Sequence, residues 1–150
     1  MGLFDFLKKE PTRNLKTVEY SVRGIEHYLD NVKKLAVSNK EYRSKPETII
    51  ANGNAMKKIY QYTFVNKPVK LEPEPKNKFD KNAIKVIIAG EHIGYIPSED
   101  CVTVHGILKS HEIKYMSAFI SGGKYKVVSA NGDAEHIETS ISARIKIAYV

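Results

Sequence analysis

The sequence has one cysteine, no tryptophan and no apolar run of the roughly 20 residues that a membrane-spanning helix needs. We therefore expect no integral membrane association. Cys101 alone can form neither an intramolecular disulfide nor a zinc site built from cysteines, which fits a reducing, cytoplasmic setting. Residues 1–14 lack the long apolar stretch of a secretory signal and are interpreted as a short N-terminal leader.

Catalytic motifs are equally scarce. The phosphate-binding loop GxxxxGK[ST] is absent, and Cys101 falls on the apolar side of a predicted helix, where a core role is more usual than a nucleophilic one. The histidines do not follow the spacing of a metal site such as HExxH. They are His27, His92, His105, His111 and His136. We expect a protein that is not an enzyme and that holds neither a metal nor a cofactor.

The chain is basic, and its positive charge is unevenly distributed. The formal net charge is +7 over 150 residues. Residues 1–78 contain 16 Lys and Arg against 9 Asp and Glu, whereas residues 79–150 contain 8 of each kind. A basic surface attracts phosphate backbones, although surface lysine also serves solubility. The charge by itself favours a nucleic-acid partner only slightly.

Apolar periodicity predicts a mainly β domain with two α-helices, an α+β fold. Apolar positions three and four apart predict a helix over residues 25–37, and Ser98 with the acids after it starts another that runs to about residue 110. Strands are predicted at 17–22, 59–65, 69–71, 84–88, 93–96, 113–120, 125–129 and 139–150. Gly122 with Gly123, and residues 131–133, are interpreted as hairpin turns.

These elements fit one domain over residues 15–150. Residues 38–57, with a short turn near 47–51, show no clear periodicity and are interpreted as an insertion. Short strands at regular spacing favour a small barrel.

Residues 71–97, LEPEPKNKFDKNAIKVIIAGEHIGYIP, form the most distinctive segment. Pro73 and Pro75 cannot sit inside a central strand because proline has no backbone donor, so the chain must leave the sheet there. The polar run KNKFDKN predicts a turn-rich loop that contains one aromatic residue, Phe79. Two apolar runs joined by residues 89–92 then predict a β-hairpin.

This pattern resembles the HIRAN domain family. The residues that match are Leu71, Glu74, Pro75, Asn77, Phe79, Asp80, Asn82, Ala83, Ile84, Val86, Gly94, Tyr95, Ile96 and Pro97. HIRAN domains occur at the N-terminus of Swi/Snf-type translocases that remodel stalled replication forks, and also as free-standing bacterial or phage proteins. A chain of 150 residues has no room for an ATPase motor, so it looks like the free-standing kind. The resemblance implies a small OB-like β-barrel, a fold that binds single strands in a basic groove floored by aromatic residues.

The resemblance also implies roles for particular residues. In HIRAN domains linked to DNA, the pocket captures the 3′-hydroxyl end of a single strand. By motif match, Phe79 would stack on the terminal base and Asp80 would accept a hydrogen bond from the terminal hydroxyl. A second interpretation stays open for both residues: Asp80 caps the turn before Ala83, and Phe79 plugs the mouth of the barrel.

The chain departs from the family where DNA-end-binding members carry cations. Glu26 stands in place of a phosphate-binding arginine and Ser98 in place of a lysine, changes that weaken the case for 3′-end capture. Tyr95 stands where eukaryotic relatives have a histidine. The loop lysines either restore phosphate contacts or only solvate the loop. With Phe79 and Asp80, the candidate nucleic-acid-binding residues are Tyr95, His27, Tyr28, Lys78 and Lys81.

We expect a non-catalytic nucleic-acid-binding module for single-stranded DNA or DNA 3′ ends, acting in repair or replication. The alternative is a protein-interaction module, in which the same groove or an exposed strand edge such as residues 113–120 receives a peptide or a second copy. A third interpretation is association with a membrane surface through the apolar residues of the leader. The oligomeric state is left open.

Overall fold

The computed structural model describes residues 14–64 and 66–150. The predicted leader lies almost entirely outside the described residues, as does Val65. The strands are β1 (Lys16–Ser21), β2 (Ala36–Ser38), β3 (Ile59–Tyr60), β4 (Tyr62–Phe64), β5 (Val69–Pro73), β6 (Ile84–Ile88), β7 (Glu91–Tyr95), β8 (Ile113–Val128) and β9 (Ala134–Tyr149). The α-helices are α1 (Leu29–Lys33), α2 (Pro46–Ala51) and α3 (Cys101–Ser110), and short 3-10 helices span Ile25–His27, Lys40–Arg43 and Ser98–Asp100. No helix in these residues is long and apolar enough to cross a membrane.

The largest sheet has the strand order β1-β9-β8-β3 and is built on a long antiparallel hairpin of β8 and β9. The turn at residues 131–133, as predicted, joins the two strands. On β9, Ile145 and Ile147 are buried whereas Arg144 is exposed. This alternation is typical of a sheet with one face in the core and the other in water.

Gly122 and Gly123 do not form the predicted turn. They lie inside β8, where the register with β9 shifts between Ser121 and Gly123. Gly122 has a φ of +101°, and a Cβ atom at this position would lie 2.1 Å from the carbonyl oxygen of Ser140. The two glycines therefore make a β-bulge, which keeps the long strands paired and joins two predicted strands into one.

A second sheet has the order β5-β6-β7 and contains the predicted hairpin. In β6 the alternate residues Ile84, Val86 and Ile88 are buried. β5 is an edge strand that ends at Pro73, consistent with the missing backbone donor of proline. Beyond Pro73 the chain leaves the sheet as a loop, residues 74–83, before it returns in β6.

The single helix predicted over residues 25–37 is wrong. The chain forms a 3-10 turn, then the short helix α1, and β2 already begins at Ala36. Tyr28 separates the two helical pieces with a φ of −126° and a ψ of 22°, which lie outside helical values. A short helix in water is marginal by itself, so the pairing of β2 with β4 outweighs the helical preference of this segment.

The strand predicted over residues 59–65 is divided in two. β3 pairs with β8, whereas β4 pairs with β2. The change of partner occurs at Gln61, whose backbone amide donates to the carbonyl of Lys124 at 2.9 Å. The alternation of apolar residues in the sequence predicted the extended backbone. It did not predict the change of partner strand.

Residues 38–57 contain more regular structure than their sequence indicates. A 3-10 turn precedes α2, which begins at Pro46, a residue suited to the first turn of a helix. Ile49 is fully buried, and it packs with Ile59 and Val128 in a small second core. The segment therefore packs against β3 and the end of β8.

The main core joins the inner faces of the two larger sheets with one side of α3. Its buried members are Val22, Ile25, Val32, Leu35, Leu71, Ile84, Val86, Ile88, Ile93, Ile96, Cys101, Val104, Ile107, Ala143, Ile145 and Ile147. The fold is mainly β with a few helices, as predicted, and is consistent with an OB-like arrangement. In the described residues the backbone ladders form three separate sheets and do not close into one barrel.

Gly94 determines how the two larger sheets meet. The chain that leaves β1 crosses β7 at this point, and Arg23 and Tyr95 exchange two backbone hydrogen bonds of 2.8 and 2.9 Å. Gly94 has a φ of +154°, and a Cβ atom there would lie 2.5 Å from both the carbonyl oxygen of Arg23 and the side chain of Val22. Glycine is therefore required for this close approach.

Replacing Gly94 with alanine should destabilise the fold, because the new methyl group would collide with the backbone of Arg23. We expect a loss of about 1–3 kcal/mol in the free energy of unfolding, the usual cost of overpacking. Gly106→Ala in α3 is the matched control, since no heavy atom lies within 4 Å of a Cβ placed there. It should stabilise the protein by about 0.5–1 kcal/mol. Urea unfolding followed by circular dichroism measures the stability of both variants. A G94A variant as stable as wild type would contradict the close approach of Arg23 to β7 at Gly94.

Candidate nucleic-acid interface

Asn77 organises the loop of residues 74–83. Its side-chain Nδ2 donates to Glu74 Oε1 at 2.6 Å, and its Oδ1 accepts from the backbone amides of Phe79 at 2.9 Å and Asp80 at 3.0 Å. Asparagine favours turns because its side chain can bond nearby backbone groups in this way. Phe79 projects outward from this turn and is 98% exposed. A side chain this exposed does not plug the mouth of a barrel, so that interpretation of Phe79 is wrong.

Asp80 caps the same loop. Its Oδ1 accepts from the backbone amide of Asn82 at 2.8 Å, and its carbonyl accepts from the amide of Ala83 at 3.0 Å. The local capping role is thus present. Among the described residues no donor bonds the second carboxylate oxygen, Oδ2, so Asp80 can still accept a hydrogen bond from a ligand.

Glu74 ties the loop to the second sheet. Its Oε2 lies 2.8 Å from the ammonium of Lys85, and its Oε1 accepts from the hydroxyl of Tyr95 at 3.1 Å. Hydrogen bonds from Lys85 and Asn77 hold the pKa of the Glu74 carboxyl below its usual range. The same contact with Glu74 raises the pKa of Lys85. The pair is therefore charged over a wider pH range than either group alone.

Three rings pack together beside this ion pair. The ring centroids of Tyr28 and His92 lie 4.2 Å apart, and that of Tyr95 lies 4.9 Å from His92 and 6.3 Å from Tyr28. Burial lowers the pKa of His92. Burial, reinforced by Tyr28 and Glu74, raises the pKa of Tyr95 far above its usual range. Tyr95 therefore stays protonated and able to donate to Glu74.

A cleft of about 280 Å³ opens between the loop and the chain after β7. Its lining residues are Arg23, Asn77, Phe79, Asp80, Ala83, Tyr95, Ile96 and Ser98. The bridge between Arg23 and Tyr95 brings Arg23 to this cleft. The cleft thus combines an exposed aromatic face, a carboxylate and a guanidinium.

Comparison with known proteins gives the family of the chain. The family model of the HIRAN domain matches residues 16–146. The chain belongs to the HIRAN domain family. Among solved structures it is similar to the HIRAN domain of human HLTF, with 15% sequence identity, coverage of 89% of this chain and 74% of that chain, and a TM-score of 0.44. A search of curated proteins found no match. HIRAN domains are known as DNA-binding modules, and the domain alone is a binding module.

Arg23 is the residue of this HIRAN cleft that sequence reasoning missed. The family resemblance points to the residues after Gly24, where Glu26 replaces the family's arginine, whereas Arg23 lies just before Gly24. Its Nη2 lies 2.7 Å from Glu99 Oε1, and both side chains are more than half exposed. An arginine between a strand and a glycine was the available signal, but only the pairing with Tyr95 places it in the cleft.

The other predicted residues lie outside the lining of the HIRAN cleft. Tyr28 contacts the ring of Tyr95 and thereby supports the wall of the cleft. His27 is exposed and does not line it. Lys78 is exposed on the loop, and Lys81 lines a neighbouring groove.

Cys101 is buried at the start of α3, the core position predicted for it. Burial raises the pKa of its thiol, and its Sγ donates to the carbonyl of Pro97 at 3.4 Å. In the part of the chain that the structure describes, no three His, Cys, Asp or Glu side chains are grouped to hold a metal ion.

The contacts of Glu74 predict a pH-dependent stability. Its pKa is lowered in the folded state, so it adds stability above its unfolded pKa, and this contribution is lost as the pH falls through the folded value. Glu74→Gln should therefore lower the Tm at neutral pH. The difference from wild type should shrink as the pH falls below about 4.3, the ordinary pKa of glutamate.

Thermal unfolding at a series of pH values measures this difference. Glu72→Gln is the matched control, because Glu72 lies 3.7 Å from Lys70 in a more exposed pair. It should change the Tm much less at every pH. A Tm difference for E74Q that does not vary with pH would contradict the role of the Glu74 carboxylate.

Proposed function

We propose that this HIRAN domain binds single-stranded DNA and recognises its free 3′-hydroxyl end, as a non-catalytic module acting in repair or replication. The observation that carries the proposal is Phe79. An apolar ring that is 98% exposed, on a loop held by side-chain hydrogen bonds, offers a stacking face for a base. Any base can stack on such a ring, so this contact alone specifies no sequence.

Asp80 supports the choice of a hydroxyl end. A carboxylate repels phosphate but accepts a hydrogen bond from a hydroxyl, and a bond to an ionised acceptor is stronger than a neutral one. Its Oδ1 is engaged by Asn82, and Oδ2 remains for the ligand. A terminal 3′-hydroxyl beside a base stacked on Phe79 would satisfy this oxygen.

Arg23 supports the binding of a phosphate despite Glu26. The guanidinium lines the same cleft as Phe79 and Asp80. Arginine binds phosphate through paired donors of fixed geometry. In this chain Arg23 would therefore supply the positive charge that the family places at the position of Glu26.

Fluorescence anisotropy with three labelled probes tests the proposal. The probes are a single strand with a free 3′-hydroxyl, the same strand with a 3′-phosphate, and a blunt duplex. Wild type should prefer the free hydroxyl. Phe79→Ala should weaken binding about 5- to 150-fold, from the ~1–3 kcal/mol of a base-aromatic stack. Asp80→Asn keeps the Oδ1 acceptor. It should reduce the ratio of the affinity for the 3′-hydroxyl strand to the affinity for the 3′-phosphate strand.

Phe119→Ala is the matched control, because Phe119 is also an exposed phenylalanine, at 68%, but lies in β8 outside the cleft. It should bind the probes like wild type. Equal losses in the two phenylalanine variants would assign the effect to general surface changes and contradict stacking at Phe79.

The ion pair of Arg23 and Glu99 generates a separate prediction. Glu99 competes with a DNA phosphate for the guanidinium, so Glu99→Gln should tighten binding by about two- to fivefold, the scale of an exposed ion pair. Arg23→Gln should weaken binding and reduce its salt dependence. In the double variant R23Q/E99Q, the gain in affinity from E99Q should disappear, because the guanidinium for which Glu99 competes is absent. An undiminished gain would show that Glu99 acts only through general repulsion.

A second candidate function uses the edge of β8. On the side away from β9, the backbone hydrogen bonds that described residues make to β8 lie at residues 124–128, so within the described part of the chain residues 113–120 form an edge without a partner strand. An extended peptide or a second copy would add a strand there. Failure of wild type to bind all three probes would favour this candidate.

A further inference from the structure

A second groove lies on the other side of the loop of residues 74–83. Its volume is about 470 Å³, and it is lined by Pro73, Pro75, Lys81, Asn82, Val102, His105, Leu108 and Lys109. Two prolines and the apolar residues of α3 form its walls, and Val102 is 70% exposed. The ammonium groups of Lys81 and Lys109 add positive charge.

The groove and the cleft share their boundaries. Asp80 lines the cleft and the next residue, Lys81, lines the groove. On the opposite side, Ser98 lines the cleft and Val102 lines the groove. His105 Nε2 lies 3.0 Å from the carbonyl oxygen of Asn82, which joins α3 to the loop. A ligand that leaves the cleft over the loop would therefore meet the groove next.

Among the described residues, no acid balances the positive charge of the groove. No Asp or Glu is among its lining residues. Lys81 and Lys109 form no ion pair with any carboxylate of the described residues, unlike Lys70 and Lys85. Two ammonium groups that no described carboxylate pairs, beside an apolar surface, match an anionic ligand that also carries flat apolar parts. A nucleotide chain has this combination, because its phosphates alternate with bases.

We propose that this groove, termed the lysine groove, binds the nucleotides that precede the last two at the 3′ end of the same strand. Lys81 and Lys109 contact their phosphates, and the sugar and base pack on the prolines and Val102. The inference rests on the proposed function of the cleft and adds to it. The cleft recognises the end, and the lysine groove makes affinity depend on the length of the strand.

A length series of single strands tests this inference. Oligothymidylates of two, four and eight nucleotides with free 3′-hydroxyls are titrated into wild type and the double variant K81Q/K109Q over a range of salt concentrations. The matched control is K33Q/K45Q, which removes the same charge from exposed lysines outside both sites. Circular dichroism and Tm confirm that each variant is folded.

The inference makes distinct predictions for short and long probes. Wild type should bind the octamer more tightly than the dimer. K81Q/K109Q should bind the dimer like wild type but lose most of the additional affinity for the octamer. The slope of log K against log salt for the octamer should fall by about 1.4, since each lysine-phosphate contact on a single strand contributes about 0.7. K33Q/K45Q should keep both the gain and the slope.

A second variant tests the groove without removing a lysine. Val102→Glu places an acid on an exposed apolar position, so the variant should fold normally. It should still abolish the gain in affinity with strand length, because the new carboxylate repels phosphate.

Octaglutamate should compete poorly with the octamer, because it lacks bases to pack on the apolar walls. Competition by octaglutamate equal to that of unlabelled octamer would overturn the assignment to nucleic acid.

The failure of this inference differs from failure of the proposed function. If wild type binds the dimer and octamer equally, or if both lysine variants lose the same affinity, the lysine groove is wrong while end recognition at the cleft stands. If wild type binds no probe of any length, the proposed function and the inference are both overturned.

Discussion

The candidate site depends on the hydrogen bonds that the carboxylate of Glu74 accepts. This carboxylate accepts hydrogen bonds from Asn77 in the loop, Tyr95 in β7 and Lys85 in β6, so one side chain joins the loop to two strands of the second sheet. A partly buried carboxylate is favourable only when it is paired in this way. The loop therefore has a defined position relative to the cleft, although most of its own residues are exposed.

This arrangement matters because the cleft is assembled from separate parts of the chain. Phe79 and Asp80 come from the loop, Ser98 follows β7, and Arg23 follows β1. Gly94 permits the close crossing that brings Arg23 beside Tyr95. A site whose groups are already in place loses less conformational entropy when a ligand binds, so more of the contact energy is left for affinity.

The charges around the cleft are mixed, which favours selectivity over attraction alone. Arg23 faces Glu99, and Asp80 lies next to Lys81. A carboxylate beside an exposed ring repels an anion such as phosphate and accepts a hydrogen bond from a hydroxyl, which is the basis of the proposed preference for a 3′-hydroxyl end. Lys81 and Lys109, which form no ion pair with a described carboxylate, lie in the neighbouring groove, where the proposed strand would continue.

The sequence by itself determined the features that depend on local chemistry. The end of β5 at proline, the β6-β7 hairpin, the turn at residues 131–133, helix α3 and the family were all predicted, because each follows from residue types a few positions apart. Only the tertiary structure decided the bulge at Gly122, the conversion of residues 36–38 from helix to strand, and the place of Arg23 in the cleft. All three depend on pairing between strands that are distant in sequence. This backbone pairing outweighs the local conformational preference of the residues, so no pattern of neighbouring residues predicts them.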